Sequence, residues 1–159
     1  MKLLSLAVDG LERAHKDGLV TWAFQQNADV ICLQDTQCSE YSLSSNDFFP
    51  EGYHAYFGDN YDDPKINGVA IYCRKMPKAI MFGLGFMDFD HLGIYIQADY
   101  ESCSIGSILV PSAVGARGDK ALKMRFLTQL GAHLEKVRNK KRDVILCGGG
   151  EPAGQPRAA

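Results

Sequence analysis

The sequence has no apolar run that approaches the ~20 residues of a membrane-spanning helix. Its apolar start carries a single basic residue and is interrupted by Asp9, which indicates a first core strand and not a signal peptide. No membrane partner is therefore predicted, and the expected location is the cytoplasm.

A strong excess of one charge is also missing. The 17 Lys and Arg residues nearly balance the 19 Asp and Glu residues, which leaves a net charge of −2. Because bulk electrostatic attraction is weak at this balance, nucleic-acid binding would require a local basic patch.

The usual metal-binding spacings are absent, since the chain has no CxxC pair and no HExxH sequence. Its five cysteines are odd in number, and Cys32, Cys73 and Cys147 lie within apolar, strand-like runs. This placement favours small buried thiols in a reducing compartment over disulfides or a zinc site. The four histidines show no ligand spacing, so we assign them no catalytic role.

The most informative stretch that is present begins with an apolar run at residues 30–33. The run is too short for a helix and predicts a strand buried on both faces. It leads to Asp35, a carboxylate placed where a buried strand would emerge into a cleft. The chain is long enough for one globular domain with its own core.

The other patterns predict a mixed α/β domain over residues 1–148. Strands at 2–8 and 29–34 enclose a helical stretch at 11–27, which Gly18 weakens, so that two shorter helices are an alternative. The remaining predicted elements are strands at 53–57, 68–74 and 79–83, a hairpin at 93–110, a helix at 118–139 and a strand at 143–148. We expect helices on one face of the sheet and a disordered Gly/Pro/Ala tail at 149–159.

Four segments of this pattern together resemble the exonuclease III-like endonuclease/exonuclease/phosphatase family. They are residues 5–11 (SLAVDGL), 26–36 (QNADVICLQDT), 68–72 (GVAIY) and 144–148 (VILCG). The resemblance implies an αββα sandwich of the DNase I-like kind, of which this chain would form the first half. A first half alone would leave one sheet face bare, and such an apolar face would favour self-association.

The resemblance also implies where a catalytic magnesium ion would be held. The family's ligand positions fall on Ala7, Asp35, Leu109, Gly149 and Glu151, and the family's final Asp-His pair has no counterpart up to residue 159. Asp9, next to the first of these, is better interpreted as a turn residue before Gly10. Asp35 is either a weak, relict metal ligand or a solvated acid at the end of a strand, and the sequence leaves both open. Since Mg²⁺ needs several oxygens, the sequence predicts neither a bound cofactor nor nuclease activity.

Within the family, a further set of segments resembles the catabolite repression control (Crc) corepressors. The segments are 27–36, 77–80 (PKAI), 83–86 (GLGF), 95–99 (YIQAD) and 109–112 (LVPS). This implies a non-catalytic protein that acts with the RNA chaperone Hfq on A-rich mRNA. The alternative is a Mg²⁺-dependent exodeoxyribonuclease III or abasic-site endonuclease that acts on DNA in repair.

One basic cluster occurs, at the end of the last predicted helix: Lys136, Arg138, Lys140, Lys141 and Arg142. Basic residues at a helix C-terminus are favoured by the helix dipole. Contact with RNA or DNA phosphates is the functional alternative, and the sequence leaves both open.

Overall fold

The computed structural model describes residues 1–116 and 118–150. Glu151 and the rest of the predicted tail lie outside the described residues. Gly149, which the sequence pattern assigned to the tail, is the last residue of a strand.

Two four-stranded sheets form the centre of the domain. The first sheet has the order β1-β2-β4-β3, with strands β1 (Leu3–Ala7), β2 (Val30–Gln34), β3 (His54–Gly58) and β4 (Val69–Cys73). Strands β1 and β2 are parallel, and the other pairs are antiparallel. Both β2 and β4 are buried along their whole length, as the continuous apolar run at residues 30–33 predicted.

The second sheet has the order β5-β6-β7-β8. Its strands are β5 (Ala79–Met81), β6 (Tyr95–Asp99), β7 (Cys103–Leu109) and β8 (Asp143–Gly149). Strands β6 and β7 form the predicted hairpin, with Asp99 opposite Ser104. Strand β8 is parallel to β7, so the two strands end together, with Leu109 opposite Gly149.

Three helices lie outside the sheets: α1 (Leu11–Lys16), α2 (Leu19–Gln25) and α3 (Lys120–Asn139). Gly18 separates α1 from α2 at a φ of 85°, a left-handed conformation that favours glycine, so the alternative of two helices is confirmed. Asp119 caps α3, because its carboxylate accepts a hydrogen bond from the backbone N–H of Leu122 at 3.0 Å. Among the described residues, no helix is long and apolar enough to cross a membrane.

The core has three apolar layers. Between the sheets, residues such as Ile71 of β4 and Ile96 of β6 are fully buried. Outside the first sheet, α1 and α2 cover Ile31 and Tyr72, and outside the second sheet Phe126 of α3 packs over Tyr95. The layers are thus helix, sheet, sheet, helix, which confirms the predicted αββα sandwich. The expected bare sheet face is wrong, because the inner face of each sheet covers the other, and self-association through that face loses its basis.

Candidate active-site cleft

The carboxyl ends of four strands meet at one end of the sandwich. Ala7 of β1 pairs with Gln34 of β2, and Leu109 of β7 pairs with Gly149 of β8. A cavity of about 600 Å³ opens between these two pairs of strand ends, and we call it the cleft. Asp35, immediately after β2, also lines it. The structure therefore brings together residues 7, 35, 109 and 149, to which the resemblance assigned the family's ligand positions, and that assignment stays a prediction.

The cleft is poor in metal ligands. Ala7 and Leu109 present aliphatic side chains, and Gly149 has none, so Asp35 is the one carboxylate among the described residues that line it. No group of three or more His, Cys, Asp or Glu residues in the described part of the chain could hold a metal ion. Because Mg²⁺ requires near-octahedral oxygen coordination with carboxylate support, the described cleft residues do not fit a magnesium site.

Asp35 itself is held in an unusual position. Its φ is 62°, and its carbonyl oxygen accepts a hydrogen bond from the backbone N–H of Gly10 at 2.8 Å, which fixes the turn after β2 against the start of α1. Burial of the carboxylate raises the pKa of Asp35 above its ordinary value. The negative charge of Asp9 raises it further, and a hydrogen bond from the Gln37 side chain opposes both effects.

Asp9 does not line the cleft. Its Oδ1 accepts a hydrogen bond from Gln37 Nε2 at 2.9 Å, and its Oδ2 lies 3.4 Å from Arg13 Nη1. Gln37 therefore stands between the two carboxylates of Asp9 and Asp35. The sequence-based interpretation of Asp9 as a turn residue agrees with its position between β1 and α1, at a φ of 48°.

Gln34 was missed by the sequence analysis and forms the floor of the cleft. It is 2% exposed, and its Nε2 donates to Ser5 Oγ and Ser107 Oγ at 3.1 Å each, and to the Cys147 carbonyl oxygen at 3.2 Å. These partners belong to both sheets, so one amide group joins the sheets at the strand ends. The available signal was a polar residue that continues an otherwise apolar buried strand, since buried polar groups need partners.

Asn67 was missed as well. It lines the cleft at a φ of 61°, and its Nδ2 donates to the Leu92 carbonyl oxygen at 3.1 Å, which leaves the amide oxygen as a neutral acceptor beside the cleft. A second cavity of about 320 Å³ adjoins the first and shares Asp35 and Asn67 with it, while Lys65 contributes a cation to its wall. The signal in the sequence was the turn dipeptide Asn67-Gly68 before β4.

The predicted basic cluster lies at the opposite end of the molecule. The cluster ends where β8 begins, and Gly149 is at the other end of this strand, so the seven residues of β8 separate cluster from cleft by roughly 20 Å. Side chains of the cluster therefore cannot hold the same phosphate as the cleft.

Two members of the cluster have structural partners. Arg142 Nε donates to Ser104 Oγ at 2.8 Å, and its guanidinium also donates to the carbonyl oxygens of Tyr100, Glu101 and Cys103. Arg138 forms an ion pair with Glu135 at 2.7 Å. The other three members, Lys136, Lys140 and Lys141, are exposed.

Comparison with known proteins places these features in context. The model of the endonuclease/exonuclease/phosphatase family matches residues 8–149. The chain is 31% identical over 151 residues to the DNA-(apurinic or apyrimidinic site) endonuclease of Dictyostelium discoideum, covering 93% of this chain and 41% of that protein. It is 32% identical to the DNA repair nuclease APEX1 of Danio rerio, with 93% and 48% covered, and 28% identical to an exodeoxyribonuclease of Bacillus subtilis, with 93% and 57% covered. The chain thus spans about half the length of these curated relatives.

Solved structures show the same fold. An AP endonuclease from Archaeoglobus fulgidus superposes with a TM-score of 0.77 at 23% identity, covering 94% of this chain and 56% of that one. The catalytic domain of Xenopus laevis APE2 superposes with a TM-score of 0.79 at 24% identity, covering 99% and 60%. At these identities the likeness concerns the fold, and it agrees with the layers described above.

Proposed function

The chain belongs to the endonuclease/exonuclease/phosphatase family, and from this premise we propose that it is a DNA-binding protein related to the DNA repair nucleases that does not itself hydrolyse DNA. The observation that carries the proposal is the cleft, where Ala7 and Leu109 lie at positions that the resemblance assigns to ligands, and Asp35 is the one carboxylate among the described lining residues.

DNA is the proposed partner because of what the relatives are. Those named above are endonucleases or exonucleases of DNA, and two of their names refer to abasic sites or repair. They favour the DNA repair alternative of the sequence analysis over the corepressor hypothesis. Hydrolysis is not expected, because loss of one stabilising group at such a site typically costs ~10²-fold in rate. In this cleft several of the assigned ligand positions lack an oxygen ligand.

The direct test uses a DNA duplex with a stable abasic-site analogue, in the presence of Mg²⁺. We expect binding that weakens with salt, measured by fluorescence anisotropy, and an intact strand on a denaturing gel. Asp35→Ala should leave both results unchanged. Strand cleavage that Asp35→Ala abolishes would refute the proposal and establish the Mg²⁺-dependent nuclease instead.

The proposed DNA contact is the exposed lysine pair at the far end from the cleft, Lys140 and Lys141. Each phosphate contact contributes about 0.9 to the slope of log affinity against log salt concentration, so the double change to Ala should reduce that slope by about 2. The matched control is Lys120→Ala with Lys123→Ala, because these lysines lie on α3 at its opposite end. An equal loss of slope in the control would remove the assignment to the lysine pair.

The corepressor hypothesis is the second candidate, and the same feature of the cleft favours it. A fold that retains its layers while its ligand positions are aliphatic fits a protein that acts through its surface. Its test is a gel-shift experiment on A-rich RNA with and without Hfq. A shift that requires both proteins would support the corepressor and would leave the DNA proposal dependent on the abasic-duplex result.

A further inference from the structure

Two cysteine thiols meet between the sheets, close to the cleft. Cys32 of β2 is 0% exposed, whereas Cys147 of β8 is partly exposed at the edge of the second sheet. Both side chains belong to the same apolar layer, in which Cys147 packs against the buried cluster that contains Cys32. The pair is far apart in sequence and adjacent in space.

Two hydrogen bonds join the sheets beside these thiols, on the C-terminal side of Cys32. Ser107 Oγ, on the neighbouring strand β7, donates to the Leu33 carbonyl oxygen at 3.0 Å, next to Cys32 in β2. Gln34 Nε2 donates to the Cys147 carbonyl oxygen at 3.2 Å. Because both hydrogen bonds cross from one sheet to the other within two residues of Cys32, they hold the two cysteine-bearing strands close together at this point.

The two thiols differ in exposure, since Cys32 is fully buried and Cys147 is partly exposed. Their interaction lowers the pKa of the Cys147 thiol and raises the pKa of the Cys32 thiol, which burial raises further. Cys147 is thus the more acidic thiol and the more accessible one, while Cys32 keeps its proton beside it. This is the arrangement of an attacking and a resolving cysteine.

We propose that Cys147 and Cys32 form a reversible disulfide that links the two sheets when the protein meets a peroxide. The Cys147 thiolate attacks one peroxide oxygen, so that an S–O bond forms, the O–O bond breaks and the leaving hydroxide takes a proton to become water. The Cys32 sulfur then attacks the resulting sulfenic acid, the S–S bond forms, and the hydroxyl leaves with the Cys32 proton as a second water. Two thiols and one peroxide thereby give one disulfide and two waters.

The other cysteines lack this arrangement. Burial raises the pKa of Cys38 to about 12, and Cys73 is fully buried with a pKa that burial also raises. Cys103, at the start of β7, is partly exposed like Cys147 and is not among the residues of the apolar cluster that contains Cys32 and Cys147. It therefore serves as the matched control.

The consequence concerns the cleft. A bond from β2 to β8 would fix Gln34 and Gly148 relative to each other, and both residues line the cleft. Oxidation would thus add a covalent link between the strand ends that form the floor of the cleft, and reduction would remove that link. This inference does not depend on the proposed DNA binding, since it concerns the two sulfurs alone.

The test is peptide mapping of the intact protein after treatment with hydrogen peroxide, with free thiols alkylated before digestion. We expect one crosslinked peptide pair containing Cys32 and Cys147, lighter by two hydrogen atoms than the sum of its parts and split by dithiothreitol. Cys147→Ser should abolish it, and Cys103→Ser should leave its yield unchanged. The oxidised protein should unfold at a higher temperature than the reduced protein, because a crosslink between distant residues restricts the unfolded chain.

Two outcomes would overturn the proposal. One is oxidation of Cys147 to a sulfinic or sulfonic acid while the Cys32 thiol remains free to alkylate. The other is a crosslink that survives in Cys147→Ser or that joins two molecules. Both readouts use the wild-type protein or a change at the partly exposed Cys147, so neither depends on the folding of a variant at the fully buried Cys32.

Discussion

The two ends of strand β8 lie far apart in the molecule and differ in their surroundings. At the carboxyl end, Gly148 and Gly149 line the cleft at positive φ values that favour glycine. At the amino end, Arg142 holds the β6–β7 turn through several hydrogen bonds, next to exposed lysines. The comparison teaches that the described residues of the cleft offer one carboxylate, that of Asp35, while the basic cluster lies at the other end of the strand.

The largest expected effect on stability comes from adding a side chain at Gly148, near the carboxyl end of β8. Gly148 has a φ of 123°, and an added Cβ would lie 2.1 Å from the Ile108 carbonyl oxygen. Gly148→Ala should therefore lower the free energy of unfolding by about 3 kcal/mol or more, measured by urea denaturation. Gly149→Ala is the control: its φ is 149° but no atom lies within 4 Å of the added Cβ, so its cost should be about 1 kcal/mol. Equal losses of unfolding free energy in the two variants would show that the positive φ, and not the clash with the Ile108 carbonyl oxygen, determines the cost.

A smaller loss of stability is expected at the amino end of β8. Arg142→Ala removes the donors to the carbonyl oxygens of Tyr100, Glu101 and Cys103, and should lower the free energy of unfolding by about 2 kcal/mol. Arg142→Lys should recover little of it, because an ammonium group cannot reproduce the planar fork. Arg138→Ala, which breaks an exposed ion pair with Glu135, should cost about 0.5 kcal/mol or less. An equal loss of stability in Arg138→Ala and Arg142→Ala would show that the hydrogen bonds from Arg142 to backbone carbonyl oxygens add nothing beyond the effect of an exposed charge.

The smallest effect concerns Asp35, whose pKa is raised by burial and by the charge of Asp9. A raised pKa in the folded state means that stability falls as the pH rises from the ordinary Asp value through the folded-state value. Asp35→Asn should therefore raise the urea midpoint slightly at neutral pH and flatten its dependence on pH in the acidic range. Asn also tolerates the positive φ of this position. Glu12→Gln, on the exposed start of α1, is the control and should leave the pH dependence in place.

The sequence was sufficient for the parts of the fold that local patterns determine. The apolar run at residues 30–33 identified a strand buried on both faces, and alternation at residues 93–110 identified the β6–β7 hairpin. The resemblance to a known family placed Ala7, Asp35 and Leu109 at one site, and the cleft contains all three.

The remaining features depend on contacts that distant segments make. Pairing of β2 with β4 and of β7 with β8 cannot be read from local periodicity, so the two sheets were expected only from the family resemblance, and that their inner faces cover each other was not foreseen. For the same reason the polar Gln34 had no visible partners in the sequence. Spacing alone also could not show that the basic cluster lies away from the cleft, or that Arg142 is bonded to backbone carbonyls.

The central claim is that the cleft does not hold a catalytic metal ion. The most direct test is titration with Mn²⁺, which binds oxygen ligands as Mg²⁺ does and can be followed by electron paramagnetic resonance. We expect no saturable binding up to concentrations on the order of a millimolar, and no difference between the wild-type protein and Asp35→Ala. One tightly bound ion that Asp35→Ala removes, together with cleavage of an abasic-site duplex, would contradict the account.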